Sequence, residues 1–398
     1  SDRVNIMSNV TGGLTEIKFS DLSGKVSDIE ISGEVMADLT RPLPLVNVNL
    51  RTNTIKIDDL LPPKDTAFFS KLMTKYHNYV YQGLNPKPRV VRASYSVLPR
   101  KIDNHLVALN LVQRNLNSDF PWTKDAIDIS FIRKFAGDVK LQIKSLRFKK
   151  HRVDNINTVV TINNNVMSIK RLTGDAYDGI IELDGEFVAA NVADQFKTRF
   201  KVVNVNTAKF LASMGTHGFR RGALDMTSEF NSMGRSAVDH INTLGGKGTI
   251  SIRGLEFSSG ARKNAVIPGF ADLFLSLQKF SNTIMGDKLV SKRTNFNTSF
   301  TASKGTVRFQ DMTLRTGLGG GTAEGSIDLP NWQITTNGEI KLSQNILSQI
   351  LVNESSKPVF LPFNIKGRLD NPSVKLKTSE ITKGGIRLPI ILNKTINK

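Results

Sequence analysis

The chain has 398 residues, with 54 Lys and Arg against 35 Asp and Glu and no cysteine. The formal charge of +19 calls for an anionic partner, either nucleic acid or a membrane surface. The missing thiols exclude a disulfide scaffold, a thiol nucleophile and a zinc–thiolate site. At 39% hydrophobic and 22% charged residues, the composition is globular and the chain long enough to bury a core without staples.

The first residues are Ser1-Asp2-Arg3-Val4-Asn5. They include neither an initiator Met nor the basic and apolar regions of an export signal, so any anchor or signal is expected upstream of Ser1. No run reaches the roughly 18 to 20 apolar residues of a membrane span. The longest, at 359–363 and 388–392, are short and contain Pro.

Period-two alternation dominates from there on, which implies strands with one apolar face each. It is seen first at Ile29, Ile31 and Val35, then at Val139, Leu141 and Ile143 with Lys140, Gln142 and Lys144 between them. Ile181, Leu183 and Phe187 continue it, as do Phe196, Phe200 and Val202 with Lys197, Arg199 and Lys201 opposite. Further along come Ile250 and Ile252, Phe296 and Phe300, Val307 and Phe309, Ile340 and Leu342, and Val374 and Leu376. Turn signals fall at Gly12-Gly13, Ser23-Gly24, Asp184-Gly185, Lys304-Gly305, Asn337-Gly338 and Asn371-Pro372. Antiparallel meanders follow from this pattern, not parallel βαβ units. Helical spacing is confined to 65–82, 237–244, 268–287 and 344–352, read as lids or plugs on a sheet.

The sequence also repeats itself. Leu22-Ser23-Gly24-Lys25-Val26 and the following Ile29–Val35 stretch match Leu172-Thr173-Gly174-Asp175-Ala176 and Ile181–Phe187, 150 residues on. A weaker third copy starts at Leu314, 142 residues after Leu172, and runs through Gly325 to Leu342. Each copy reads as strand, turn, strand, strand and an amphipathic turn, at Val205-Asn206-Thr207 and Phe210-Leu211 in the second copy.

Chemistry is sparse. His77, His105, His151, His217 and His240 share no metal-ligand spacing. Ser236, Asp239 and His240 are close in sequence, but no nucleophile elbow accompanies them. The glycines from Gly317 to Gly325 lead into a strand and not a helix, so they read as a hairpin and not a phosphate loop. No enzymatic activity, cofactor or metal is expected. The one dense basic cluster contains Arg147, Lys149, Lys150 and Arg152. It reads first as a solvated strand end and next as a contact for anionic lipid headgroups. Nucleic acid ranks last: most of the 22 Phe sit at alternating apolar positions rather than among basic residues as stacking platforms.

The order of these stretches resembles the AsmA-like family of Gram-negative envelope proteins. That family is related in architecture to TamB and to the eukaryotic bridge-like lipid-transfer proteins. The resemblance is carried by Leu22–Val26 with Pro42-Leu43-Pro44-Leu45-Val46 and 55–62. It continues through 122–131, 137–144 and 166–187 with the Tyr177-Asp178-Gly179 turn, then 225–257 with Gly234 and Leu244-Gly245-Gly246. It closes with Gly325-Ser326-Ile327-Asp328-Leu329 and 358–376 with Gly367-Arg368-Leu369-Asp370-Asn371-Pro372. Members usually begin with an inner-membrane helix, which this chain lacks.

The resemblance implies a mainly β fold: an elongated antiparallel sheet curled into a hydrophobic trough, β-taco-like, with a few short amphipathic helices. About 20 strands at about 4.8 Å would span on the order of 100 Å. The expected segments are 1–120, 121–265 and 266–398 within one continuous architecture. The implied function is periplasmic lipid binding or transfer in support of outer-membrane assembly. Its partners would be phospholipids, the inner or outer membrane surface and other envelope proteins, with inner-membrane association through a segment outside this chain. Candidate groove-lining residues are Val139, Leu141, Ile143, Ile181, Leu183, Phe187, Phe200, Ile250, Ile252, Phe296, Phe300, Val307 and Phe309. Arg147, Lys149, Lys150 and Arg152 are the candidate headgroup contacts. The alternative is a non-catalytic periplasmic scaffold, or a regulator of outer-membrane protein assembly, with a closed apolar core.

Overall fold

The structure, a computed structural model, describes residues 4–13, 15–56, 122–148, 150–213, 219–257, 293–344, 358–369, 371–377, 382–383 and 386–387. The sheet belongs to a compact unit formed by Ser1–Ile55 and Trp122–Lys398. The helices expected at 65–82 and 268–287, and that at 344–352 beyond Gln344, lie outside the described residues.

Nineteen strands form one sheet among the described residues. β1 (Val4–Gly12), β2 (Glu16–Val26), β3 (Ile29–Asp38) and β4 (Leu45–Lys56) make an antiparallel meander. A second meander starts with β5 (Gly137–Phe148), β6 (His151–Asn163), β7 (Val166–Ala176), β8 (Gly179–Val188) and β9 (Asp194–Asn206). It continues through β10 (Phe219–Gly234), β11 (Gly245–Phe257), β12 (Arg293–Ser303), β13 (Thr306–Thr316) and β14 (Gly319–Asp328). β15 (Gln333–Leu342), β16 (Val359–Arg368) and β17 (Asn371–Leu376) complete it, and the short β18 (Thr382–Lys383) and β19 (Ile386–Arg387) extend the edge of β16. The first meander meets the second in parallel. Leu45 bridges Ala136, the Val46 N–H donates to the Ala136 carbonyl at 2.7 Å, and the Ala136 N–H donates to the Pro44 carbonyl at 2.8 Å. A parallel contact needs a long return connection, and residues 57–136 supply it.

The alternation seen in the sequence is the alternation of burial. On β5, Val139, Leu141 and Ile143 are half-buried while Lys140, Gln142 and Lys144 are exposed. On β16, Val359, Leu361, Phe363 and Ile365 are all buried. The main core runs from Leu255 on β11 through Phe296, Phe300, Phe309, Met312, Ile334 and Ile340 to those β16 residues. Each aliphatic side chain buried this fully stabilises by about 1.5–3 kcal/mol. A second, smaller cluster gathers Ile132, Ile162 and Ala189 with Phe187 and Met167 against it.

The repeat is written in strand bounds. β2 and β3 recur 150 residues later, residue for residue, as β7 and β8. A further 140 residues on they recur as β13 and β14. Each copy carries a register shift at the same place: between Phe19 and Leu22, between Ile169 and Leu172, and between Phe309 and Met312. The counterpart of Leu172 is therefore Met312, not Leu314, and the third copy is offset by 140 rather than 142. The alternating pattern could not separate the two, because a two-residue slip leaves every side chain on its own face.

Four expected turns are not turns. Ser23-Gly24, Asp184-Gly185 and Asn337-Gly338 lie inside β2, β8 and β15, and Asn371-Pro372 is already paired with Arg368 and Gly367 at the start of β17. Their glycines make room for neighbours instead: a Cβ on Gly24 would meet the Asn5 backbone of β1, and one on Gly338 the Phe363 ring of β16. The turns are at Ser27-Asp28, Tyr177-Asp178 and Gly317-Leu318. The last of these is the expected glycine hairpin.

One end of the second meander is crossed by a hydrogen-bonded belt. Trp122 Nε1 donates to the Leu329 carbonyl at 2.8 Å, and its ring meets Trp332 edge-on at 5.5 Å. The Val238 N–H donates to the Thr123 carbonyl, and the Ile127 N–H to the Arg235 carbonyl. A 3-10 turn at Ser130–Arg133 then buries Ile132 in the second cluster, where Arg133 donates to the carbonyls of Ala189 and Ala190. Two helices are described: α1 (Thr207–Ser213), at the expected amphipathic turn, and α2 (Ala237–Thr243), at the expected 237–244 helix. In α2, Ser236 and Asp239 form a reciprocal capping box.

Gly319 sits at φ +148°, and any Cβ there would fall on the Lys341 carbonyl oxygen, whereas a Cβ on the adjacent Gly320 meets nothing. Gly319→Ala is expected to cost more than about 2 kcal/mol. Gly320→Ala should stay within about 0.5 kcal/mol of wild type. Urea unfolding midpoints of the two variants check the difference.

Candidate functional site

The apolar face carries a cavity of about 480 Å³, within the size range of small-molecule sites. Its wall is built from the strands β6 to β14 and from α1. Six of the residues expected to line a groove are on it: Ile181, Phe200, Ile250, Ile252, Phe296 and Phe309. The other seven are elsewhere. Leu183 pairs with Phe200 just beyond the wall. Phe187 packs on the second cluster, and Phe300 and Val307 belong to the main core. Val139, Leu141 and Ile143 stay half-buried on β5.

Several lining residues were not singled out as candidates, among them Val202, Val205, Met226, Phe210 and Leu211. Val202 and Val205 both face inward although three apart. Asn204 between them is left-handed (φ 52°), and the β9–β10 register shifts between Leu224 and Met226, which resets the alternation. Phe210 and Leu211 come from α1, whose Asn206 side chain accepts from the Lys209 N–H at 3.1 Å as an N-cap.

One end of the wall adjoins a set of hydrogen-bonded polar side chains. The Tyr177-Asp178 turn is left-handed at both residues (φ 50° and 63°), the geometry of a tight hairpin. It is tied to α1 by Lys209, which donates to Asp178 at 2.7 Å, and by Asn206, whose N–H donates to the Tyr177 carbonyl at 2.8 Å. The Lys209 and Asn206 hydrogen bonds hold the Asp178 carboxyl below the usual carboxylate range, against a smaller opposing effect of burial. The Tyr177 hydroxyl lies 2.6 Å from His151 Nδ1 and 2.9 Å from Ser213 Oγ, and Ser213 Oγ donates to the Phe210 carbonyl at 2.6 Å. His151, Arg152 and Tyr177 all line the cavity.

The basic cluster is at this same end. Arg147 and Arg152 face each other across β5 and β6, and both are exposed, as is Lys150 in the turn. Arg152 is paired with Asp154 at 2.8 Å. Lys149 lies outside the described residues.

His240 serves the core. Its ring stacks on Phe196 at 4.2 Å, Nδ1 is 2.9 Å from Ser232 Oγ, and the side chain is buried. Ser236 caps α2 and does not approach His240 as a nucleophile would. Among the described residues no group of His, Asp and Glu could hold a metal ion, and no helix is long and apolar enough to cross a membrane.

Burial lowers the affinity of His240 for a proton, and the Asp194 and Asp239 charges only partly oppose this. In a window just below the ordinary imidazole value of about 6.5, the unfolded chain therefore binds more protons than the folded one. Stability should fall as pH drops from about 6.5 towards about 5. His240→Phe keeps the stack on Phe196 and should flatten that slope, read from thermal midpoints across the window.

Scans against protein-family models, curated proteins and solved structures found no match to this chain.

Proposed function

We propose that the protein is a non-catalytic lipid-binding or lipid-transfer module that holds phospholipid acyl chains against the apolar face of its sheet. The single observation that carries this reading is the apolar cavity of about 480 Å³ walled by consecutive strands. Each methylene moved into it from water contributes about 0.8 kcal/mol, so an acyl chain binds without any specific chemistry. The half-buried Val139, Leu141 and Ile143 of β5 extend the same kind of surface, and we take it as part of a trough along which chains pass between near-equal sites. The +19 charge suits an anionic membrane surface. The resemblance to AsmA-like proteins suggests work in the periplasm, in support of outer-membrane assembly, with anchoring to the inner membrane by a segment outside this chain.

A second reading, a scaffold whose apolar face is closed core, is favoured by one observation: on β15 and β16 the face is filled by its own side chains, with Ile340, Leu361 and Ile365 at 0% exposure. The two readings differ in what occupies the cavity. Protein purified gently should carry phospholipid detectable by native mass spectrometry. Met226→Trp and Ile250→Trp, which fill the cavity without charging it, should remove most of that lipid while leaving the far-ultraviolet circular dichroism unchanged. Protein that neither co-purifies with lipid nor takes it up from vesicles would sink the lipid reading and leave the scaffold.

A further inference from the structure

We infer that β1 is an open sheet edge that pairs, antiparallel, with β1 of a second copy of this chain. The inference does not rest on the lipid-binding reading. The repeat identifies what belongs at this edge. β1 corresponds to β6 and β12 in the other two copies. Met7 pairs with Ser23 and Val10 with Phe19, as Asn157 pairs with Thr173 and Val160 with Ile169, and as Asn297 pairs with Thr313 and Phe300 with Phe309. β6 and β12 each have a second antiparallel neighbour, β5 and β11, which set Ile143 against Ile156 and Ile252 against Phe296. Among the described residues β1 pairs with β2 alone. Burial records the difference. Ile156, Phe296 and Phe300 are 3%, 8% and 5% exposed, whereas Ile6, the counterpart of the first two, is 43% exposed and Val10, the counterpart of the third, 61%. With Val4 they lie on the apolar face, opposite Gly24, Phe19 and Val26 of β2.

The edge is also undefended. Proteins blunt open edges with short strands, Pro and charge. The last strands of the sheet have all three: Pro372 and Lys375 on β17, and β18 and β19 of two residues each. β1 runs for nine residues, Val4 to Gly12, without a proline or a charge.

β1 can itself supply the missing neighbour. Centred on Ser8, two antiparallel copies of the strand pair along its whole length, and Ile6 of each meets Val10 of the other. Directly opposed residues share a face, and positions 6, 8 and 10 all lie on one face of the strand, so the two apolar faces fall on the same side and the sheet continues without reversal. Charge does not oppose the contact. Residues 4–56 hold five Lys and Arg against six Asp and Glu, a net of −1 in a chain of +19, so the positive excess that would repel a second copy lies outside the first meander. A second copy is thus antiparallel, alternately apolar and uncharged where it must be.

Sedimentation equilibrium of the full chain tests this, and should give twice the 44.0 kDa of one chain. Ile6→Lys combined with Val10→Lys sets Lys against Lys at the pairing. It should raise the dissociation constant about a hundredfold or more. Both side chains are exposed, so the far-ultraviolet circular dichroism should not change. Because the chain has no cysteine, Ser8→Cys reports the register. Its two copies lie opposite each other, within the Cα separation that a disulfide needs, and should cross-link under mild oxidation. Val4→Cys, about 27 Å from its own copy at about 3.4 Å per residue, should not. A chain that stays monomeric at about 100 μM, a dimer unchanged by the two lysines, or cross-linking at Val4 as readily as at Ser8 would overturn the pairing. So would a monomer that binds a free peptide of the sequence 137–148 and loses it with the two lysines, since the edge would then take a foreign strand. None of these outcomes bears on lipid uptake by the cavity.

Discussion

Register is the constraint on which everything else depends. A strand shifted by one residue would turn its Phe and Ile into water and its Lys into the core. In a sheet of nineteen strands such an error would pass to every later neighbour. The chain resists this with a bulge at the same place in each of three copies, beside Leu22, Leu172 and Met312, and with a two-residue turn five or six positions further on. A bulge leaves one residue unpaired, so a strand can slip past it only by moving that defect as well. The face that receives Phe200, Ile250 and Phe296 is therefore set locally, hairpin by hairpin.

Along that shared face the chain does two different things. From β11 to β16 large side chains from neighbouring strands meet one another, as where Phe300 lies within 6.1 Å of Phe309 and Gly338 admits Phe363. Residues of β6 to β14 also wall a void, to which α1 brings Phe210 and Leu211. Filled and unfilled regions share one alternating pattern, so the pattern alone does not separate them. The polar chain from Phe210 to His151 stands where the two turns and α1 converge.

Much of this is legible in the sequence. Alternation at Val139–Ile143 and Phe196–Val202 announces strands and assigns faces correctly, because a half-buried strand imposes a two-residue period and little else does. α2 is legible from its helical spacing, and Phe210-Leu211 marks α1. The failures share a cause. Glycine at 24 and 338 reads as a turn, but its small size serves cross-strand packing, which depends on partners 19 and 25 residues away (Asn5 for Gly24, Phe363 for Gly338). The His151–Tyr177–Ser213 contacts join residues 26 and 36 apart through a turn and a helix, and no local pattern records them. Nor can alternation say which of its apolar residues will face a void.

The belt from Trp122 to Arg133 ties the order of folding to the order of the chain. Hairpins such as β7–β8 join residues close in sequence and can form early. The bond from Trp122 to Leu329 spans 207 residues, and closing so long a loop is slow. The belt cannot be complete until the β14–β15 turn exists, although its first residue is made long before. During synthesis the indole of Trp122 waits for about two hundred residues of sheet to be built. The edge-on contact between Trp122 and Trp332 thus places an intrinsic optical probe on the latest of these steps.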